Sequence, residues 1–190
     1  MKRNILFAFG LMAFLSCNQL ATTNPQKEVT YNQDWKSKFD QMLPLLGHRN
    51  WIIVVDKAFP LQNAAGMEVI HTNEKLLPVL QRVLREIDKS GHVKAMIYRD
   101  KELGFVSEDQ ARGVKRFIDE SIQLFKGQQV QTLLHDSVFT KLDETSKLFK
   151  VLVLKTDETI PYSSVFLQLD CAYWDAGREK LLRERMNTHK

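Results

Sequence analysis

The chain consists of segments with two different patterns of apolar residues, one typical of helices and the other of buried strands. Apolar residues recur at helical spacing in segments that predict helices at 33–46, 73–88, 108–126, 137–146 and 174–186. Short apolar runs, rich in β-branched residues, predict strands at 51–55, 66–72, 93–98, 130–134, 149–154 and 164–169. Because helices and strands alternate, we expect an α/β fold with three layers, in which a mostly parallel or mixed sheet of about six strands carries helices on both faces.

Two segments carry specific signals for helix ends. Gly47 follows the first predicted helix, and glycine suits the left-handed conformation that often closes a helix. The run Ser107-Glu108-Asp109-Gln110 matches a capping box, in which the serine accepts a backbone hydrogen bond and the glutamine reaches back to it. We therefore expect the first helix to end at Gly47 and another helix to begin near residue 108.

The first seventeen residues differ from the rest of the chain. Two basic residues precede an apolar run at 5–15, a pattern typical of a secretory signal and too short for a stable membrane span. The run closes on Ser16 and Cys17, which resembles the lipobox of bacterial lipoproteins, although Phe14 stands where leucine is usual. The prediction is lipidation at Cys17, a membrane anchor through that lipid, and an exported lipoprotein of the periplasm or cell surface. An ordinary signal peptide is the alternative.

Four regions follow from these patterns: a lipoprotein signal peptide with its lipobox at 1–17, a flexible polar tether at 18–32, an α/β domain at 33–172 and a C-terminal helix at 173–190. Removal of residues 1–16, which hold two basic and no acidic residues, would lower the formal net charge from +4 to +2. Basic and acidic residues are interleaved in the remainder, so no nucleic-acid partner is predicted. Cys171 has no disulfide partner once Cys17 is lipidated, and we expect it to be buried.

Polar side chains that suit proton transfer lie at the ends of predicted strands: His48, Asp56, His135 and Tyr162. Imidazole gives and accepts protons near neutral pH, so this set suits general acid and base catalysis on hydroxyl groups. The chain has no histidine pair at helical spacing and no glycine-rich phosphate loop. No metal and no nucleotide cofactor are therefore predicted.

Each of these side chains also has a structural interpretation, which the residues alone leave open. His48 would interact favourably with a helix end, and Asp56 would cap the following loop. His135 would neighbour the cap of a helix, and Tyr162 would be half-buried in a strand. A strand of five or six residues spans roughly 17–20 Å. His48 and Asp56, at opposite ends of one strand, therefore share a small-molecule site only through another subunit or a folded-back loop.

Two motifs carry a resemblance to a known family. Gly47-His48, Asp56 eight residues after the histidine, and then Pro60 resemble the ribose pyranase and fucose mutarotase family of sugar-ring isomerases. The segment 153–162 is similar to that family's late strand, its turn with a glutamate, and the Pro-Tyr pair that enters the last strand. The two motifs occur in the family's order, which is more specific than either motif alone.

The resemblance covers roughly residues 35–170 and implies a mutarotase without a cofactor. The ring of a reducing monosaccharide would open to the free aldehyde and reclose as another anomer or ring size. His48 is implied as the proton donor. The residues implied to hold the sugar hydroxyls are Asp56, His135, Tyr162 and Ser164. Family members assemble as rings with sites at subunit boundaries, so a homo-oligomeric ring is expected.

One position departs from the family pattern. The family has asparagine two residues after the tyrosine, whereas Ser164 stands there in this chain. A hydroxyl replaces a two-headed amide, which alters sugar recognition. The leading hypothesis is a mutarotase for a free sugar such as ribose or fucose. The alternative is a non-catalytic carbohydrate-binding surface lipoprotein that keeps the same fold.

Overall fold

A computed structural model describes residues 34–188 of the chain. The predicted signal peptide and lipobox at 1–17, with Cys17, and the predicted tether at 18–32 lie outside the described residues. Within residues 34–188, no helix combines the length and the apolar character needed to cross a membrane.

Helices and strands alternate through most of the described chain. The helices are α1 (Trp35–Met42), α2 (Leu76–Ser90), α3 (Val114–Leu124), α4 (His135–Ser146) and α5 (Ala176–Thr188). The strands are β1 (Trp51–Val55), β2 (Met67–His71), β3 (Val93–Asp100), β4 (Val130–Leu133), β5 (Val151–Lys155) and β6 (Val165–Cys171). Two 3-10 segments, Leu43–Leu45 and Lys101–Phe105, follow α1 and β3.

The strands form one mixed sheet in the order β2-β5-β1-β6-β3-β4. Only β6 runs antiparallel to its neighbours, and the described pairings make all other strands mutually parallel. The predicted α/β fold with a mixed sheet of six strands is therefore confirmed. One edge of the sheet collects the carboxyl ends of β1 to β5 and the start of β6. Loops that leave such an edge splay apart and form a crevice.

The strand β1 lies at the centre of the fold and is buried on both faces. Its alternate residues Ile52 and Val54 belong to a core shared with α1, α2 and α3, including Leu80. Ile53 points to the opposite face, where Leu142 of α4 contributes to a second core. Since each face of the sheet is covered by helix, the strand reads as a continuous apolar run in the sequence.

Two predicted helix ends are wrong. The first helix gives way to a 3-10 turn that contains Pro44, because proline lacks the N–H that would continue the helical hydrogen bonding. The left-handed residue of this region is Arg49, with φ of 76°, and not Gly47. The side chain of Asn50 closes the turn by accepting from the Gly47 N–H at 2.8 Å.

The third helix begins at Val114 rather than near residue 108. The Ser107 hydroxyl donates to the Gln110 side chain at 2.9 Å instead of accepting a backbone N–H, so the capping box forms only in part. Gly113, with φ of 90°, separates this turn from α3. The Glu108 carboxylate accepts from the Gly113 and Lys115 N–H groups and so caps α3 from its preceding turn.

The last segment of the described chain is largely exposed. Helix α5 buries none of its residues. Cys171, predicted to be buried, is only partly buried where β6 ends. The predicted C-terminal helix is present as α5, and its apolar residues Leu181 and Leu182 are exposed.

Gly66 lies at a close approach between backbone segments, and we expect Gly66→Ala to destabilise the fold. A Cβ at this position would lie 2.1 Å from the Ser146 carbonyl oxygen and 2.7 Å from that of Phe149. Overpacking of this kind costs about 1–3 kcal/mol of unfolding free energy. Gly104→Ala is the matched control, because a Cβ there meets nothing within 4 Å. Urea unfolding of both variants measures the difference, and equal midpoints would contradict the expected clash.

Candidate functional site

Polar residues from four different segments meet at the carboxyl edge of the parallel strands. Asp56 follows β1, Asp100 ends β3, and His135 opens α4 directly after β4. Tyr162 and Ser164 lie in the segment that enters β6 at the same edge. The sheet therefore brings together the predicted residues Asp56, His135, Tyr162 and Ser164.

Asp56 is held by its own loop and by the start of β6. The Ser164 hydroxyl donates to Asp56 Oδ2 at 2.8 Å and accepts from the Asp56 backbone N–H at 3.1 Å. The Ala58 N–H donates to Asp56 Oδ1 at 2.8 Å, which is the loop cap that the structural interpretation expected. Ser164 is only 2% exposed. The structure shows Ser164 orienting Asp56, and its contact with a substrate stays a prediction.

His135 is fixed by two carboxylates that the sequence analysis missed. Its Nδ1 lies 3.0 Å from Oδ2 of Asp100, a side chain with no exposed surface. Its backbone N–H donates to the two carboxylate oxygens of Glu102 at 3.1 and 3.2 Å. Because Asp100 and Glu102 follow one another closely after a predicted strand, their carboxylates were a detectable signal at the sheet edge.

Tyr162 completes this group from a strained turn. Its φ of 58° is unusual for a residue other than glycine. The Ser163 hydroxyl donates to the Ile160 carbonyl at 2.6 Å and braces the turn. The rings of Tyr162 and His135 meet edge to face with centroids 5.3 Å apart. Tyr162 is 37% exposed, so its side chain borders both the histidine and solvent.

The pKa of Asp100 is raised from 3.8 to about 6, and burial is the main cause. The hydrogen bond and charge of His135 oppose the rise, and the charges of Glu102 and Asp56 add to it. No other cation forms an ion pair with Asp100 within residues 34–188. Its second oxygen, Oδ1, is buried and has no hydrogen-bond partner in the same range. The desolvated carboxyl group of Asp100 thus lies behind a partly exposed imidazole.

We expect Asp100→Asn to change how the unfolding free energy depends on pH. A carboxyl whose pKa rises on folding holds its proton more tightly when folded, so its contribution is full below about pH 4 and is lost as the pH rises through about 6. The rise of the Asp100 pKa from 3.8 to about 6 corresponds to a loss of ~3 kcal/mol. Urea unfolding of both proteins between about pH 4 and pH 7 measures the difference. If the unfolding free energies of wild type and Asp100→Asn changed with pH in parallel, the raised pKa of Asp100 would not contribute to stability as expected.

His48 lies at the opposite edge of the sheet from Asp56, as the length of β1 predicts. Its Nδ1 lies 2.9 Å from Asp170 Oδ1, and Lys94 Nζ lies 3.4 Å from Oδ2 of the same carboxylate. The histidine is exposed and borders a cavity of about 350 Å³ that Trp51 and Phe149 also line. Within one chain, the structure does not bring His48 together with the other predicted site residues.

The site offers hydrogen-bonding and proton-transfer groups to a small polar ligand. Asp56 and His135 are partly exposed at this edge of the sheet, and the ring of Tyr162 lies against that of His135. In the described part of the chain, no group of three or more His, Cys, Asp or Glu side chains is arranged to hold a metal ion. What the arrangement can do is bind hydroxyl groups and move protons between them.

Comparisons with solved structures find the same fold. RbsD from Bacillus subtilis, solved as a complex with D-ribose, is 20% identical to this chain, with 70% of this chain and 92% of that chain covered and a TM-score of 0.50. The fucose mutarotase from Streptococcus pneumoniae, solved in complex with L-fucose, is 18% identical, with 73% and 92% covered and a TM-score of 0.48. The first of these likenesses supports the fold described above.

Comparison with families of sequences is more decisive. No curated protein matches the chain in sequence. The sequence model of the RbsD / FucU transport protein family matches residues 36–171. This range contains the whole sheet and every candidate site residue from His48 to Ser164. Because the match spans well over half of its length, the chain belongs to the RbsD / FucU transport protein family.

Proposed function

We propose that this protein is a monosaccharide mutarotase, which opens and recloses the ring of a free sugar such as ribose or fucose by general acid and base catalysis. The observation that carries the proposal is the meeting of Asp56, His135 and Tyr162 at one sheet edge in a chain of this family. The solved structures with D-ribose and L-fucose support the choice of a monosaccharide as substrate.

The groups at this edge match the demands of the reaction. Ring opening needs a proton on the ring oxygen and the loss of one from the anomeric hydroxyl, and both transfers suit imidazole near neutral pH. Asp56 accepts hydrogen bonds from sugar hydroxyls, and the ring of Tyr162 offers a hydroxyl and an apolar face. His48 donates the proton to the ring oxygen.

The position of His48 supports an assembly in which sites lie between subunits. A five-residue strand of ~17 Å separates His48 from the carboxyl edge of the same chain. We infer a homo-oligomeric ring in which His48 of one subunit faces Asp56 and His135 of its neighbour. The sequence pattern at Ser16 and Cys17 supports an exported lipoprotein of the periplasm or cell surface, held to the membrane by lipid on Cys17.

A second candidate function is carbohydrate binding without catalysis. The observation that favours it is the Ser164 hydroxyl, whose donor and acceptor are both engaged by Asp56. Ser164 therefore has no free donor to offer a sugar where the family has the amide of asparagine. In that case the protein holds a sugar at the same edge and leaves its anomers to exchange spontaneously.

Saturation-transfer NMR of sugar anomers separates the two functions. The proposed function predicts that the protein accelerates anomer exchange of ribose, fucose or a related monosaccharide at catalytic concentration. Isothermal calorimetry on the same sugars measures binding independently. Binding without faster exchange would overturn the mutarotase and favour the binding protein, and neither binding nor faster exchange would overturn both.

A further inference from the structure

Asp100 and His135 form a hydrogen-bonded pair that no sequence motif predicted. The Asp100 side chain is fully buried, and its only hydrogen-bond partner within residues 34–188 is Nδ1 of His135, 3.0 Å from Oδ2. A carboxylate beside Nδ1 keeps the proton of a neutral imidazole on that nitrogen. The other ring nitrogen, Nε2, is then left with a free lone pair.

The ring of His135 is held in place from several sides. Glu102 accepts from the backbone N–H of His135, and this contact ties the first turn of α4 to the segment that follows β3. Phe139, one turn further along α4, contacts the ring at a centroid distance of 4.8 Å, and Tyr162 contacts it at 5.3 Å. Nε2 forms no hydrogen bond in the described chain and is not among its buried unpartnered atoms. The free lone pair therefore faces the open side of the ring.

We propose that Asp100 is a positioning residue that makes Nε2 of His135 the acceptor of the anomeric hydroxyl proton. The inference rests on the proposed mutarotase function and assigns the second of its two proton transfers. His48 of the neighbouring subunit supplies the first. Asp56, which Ser164 and the Ala58 N–H hold in place, binds a sugar hydroxyl.

The step balances without a further reactant. The anomeric O–H bond breaks and its proton goes to Nε2 of His135, while its electron pair forms the carbonyl. The bond from the anomeric carbon to the ring oxygen breaks, and that oxygen takes a proton from His48. On reclosure the attacking hydroxyl returns its proton to His48, and the carbonyl oxygen takes its proton back from His135. Both histidines end in their starting state.

The charges around His135 favour this assignment. Once Nε2 is protonated, the imidazolium lies directly against the carboxylate of Asp100, whose side chain has no exposed surface, and this burial strengthens the attraction between the two charges. Glu102, from the 3-10 segment after β3, and Asp56, after β1, add negative charge nearby. Arg99, adjacent to Asp100 in β3, forms no ion pair in the described chain. Burial lowers the pKa of its guanidinium, and the charge of Asp100 opposes that shift.

The test combines a spectroscopic measurement with kinetics. Two-bond ¹H–¹⁵N spectra of ¹⁵N-histidine protein at about pH 8, where imidazole is ordinarily neutral, report which ring nitrogen of His135 carries the proton. His135→Gln assigns the signal. We expect the proton on Nδ1 in the wild type, its transfer towards Nε2 in Asp100→Asn and Asp100→Ala, and a loss of about 100-fold in exchange rate in both variants.

Asp136→Asn is the matched control, since it removes the neighbouring carboxylate, which is exposed and forms no hydrogen bond or ion pair in the described chain. It should leave the ¹⁵N signals and the rate unchanged. A wild-type proton on Nε2, or full activity of Asp100→Asn beside an active wild type, would overturn the positioning role alone. A wild-type protein that accelerates exchange of no sugar would instead overturn the proposed function, while the ¹⁵N signals still decide how Asp100 orients the ring.

Discussion

His48→Ala is expected to lower the rate of catalysed anomer exchange by at least about 100-fold, because a positioned proton donor contributes on the order of 10²–10⁴ to such reactions. The side chain lies on an exposed turn, and its polar contact in the described chain is with Asp170. Loss of an exposed pair of this kind costs at most about 1 kcal/mol of stability. The variant should therefore fold normally and bind sugar while failing to speed its ring opening.

His71→Ala provides the matched control for this experiment. His71 and His48 have similarly exposed side chains, at 50% and 55%, and each lies beside one aspartate. Only His48 belongs to the family motif that implies a proton donor. Exchange rates from saturation-transfer NMR and affinities from calorimetry on both variants measure the effect. Equal rates in His48→Ala and His71→Ala would remove His48 from the mechanism.

The strands were most readily predictable at the centre of the sheet, where β1 and most of β5 are uninterrupted apolar runs that are buried. In β1, the residues from Trp51 to Val55 are almost fully buried, and burial favours an apolar side chain at every one of these positions. Such runs, separated by amphipathic helices, indicate a layered α/β fold with little ambiguity. The length of β1 also placed His48 and Asp56 at opposite edges without any knowledge of side-chain contacts.

The environment of His135 was not predictable in the same way. β3 continues through Arg99 to Asp100, where the sequence turns polar, because pairing with β4 and β6 holds these residues in the sheet. Burial of Asp100 is thus a tertiary effect with no local signature. Glu102 binds the N–H of a residue 33 positions later, which no capping pattern within α4 itself indicates. His135 was among the predicted site residues, whereas neither of the carboxylates that fix it was.

The separation of His48 from Asp56 leads to the most discriminating expectation, which concerns mixed assemblies. We expect His48→Ala and Asp56→Asn to be inactive alone and to regain activity when refolded or expressed together. If each site takes His48 from one subunit and Asp56 from its neighbour, roughly a quarter of the sites in an equal mixture are intact. The exchange rate should then recover to about a quarter of the wild-type value per subunit. Light scattering on the same samples measures the oligomeric state of the protein.

A second mixture distinguishes a shared site from a site within one chain. Wild type is combined in equal amounts with the double variant His48→Ala/Asp56→Asn. A shared site again leaves roughly a quarter of the sites intact, whereas a site formed within one chain leaves about half of them. If the site is formed within one chain, a mixture of the two single variants would recover no activity. Because the strand places the two residues at opposite edges of one sheet, equal recovery in both mixtures is the expected result, and a monomeric or non-complementing protein would contradict the shared site.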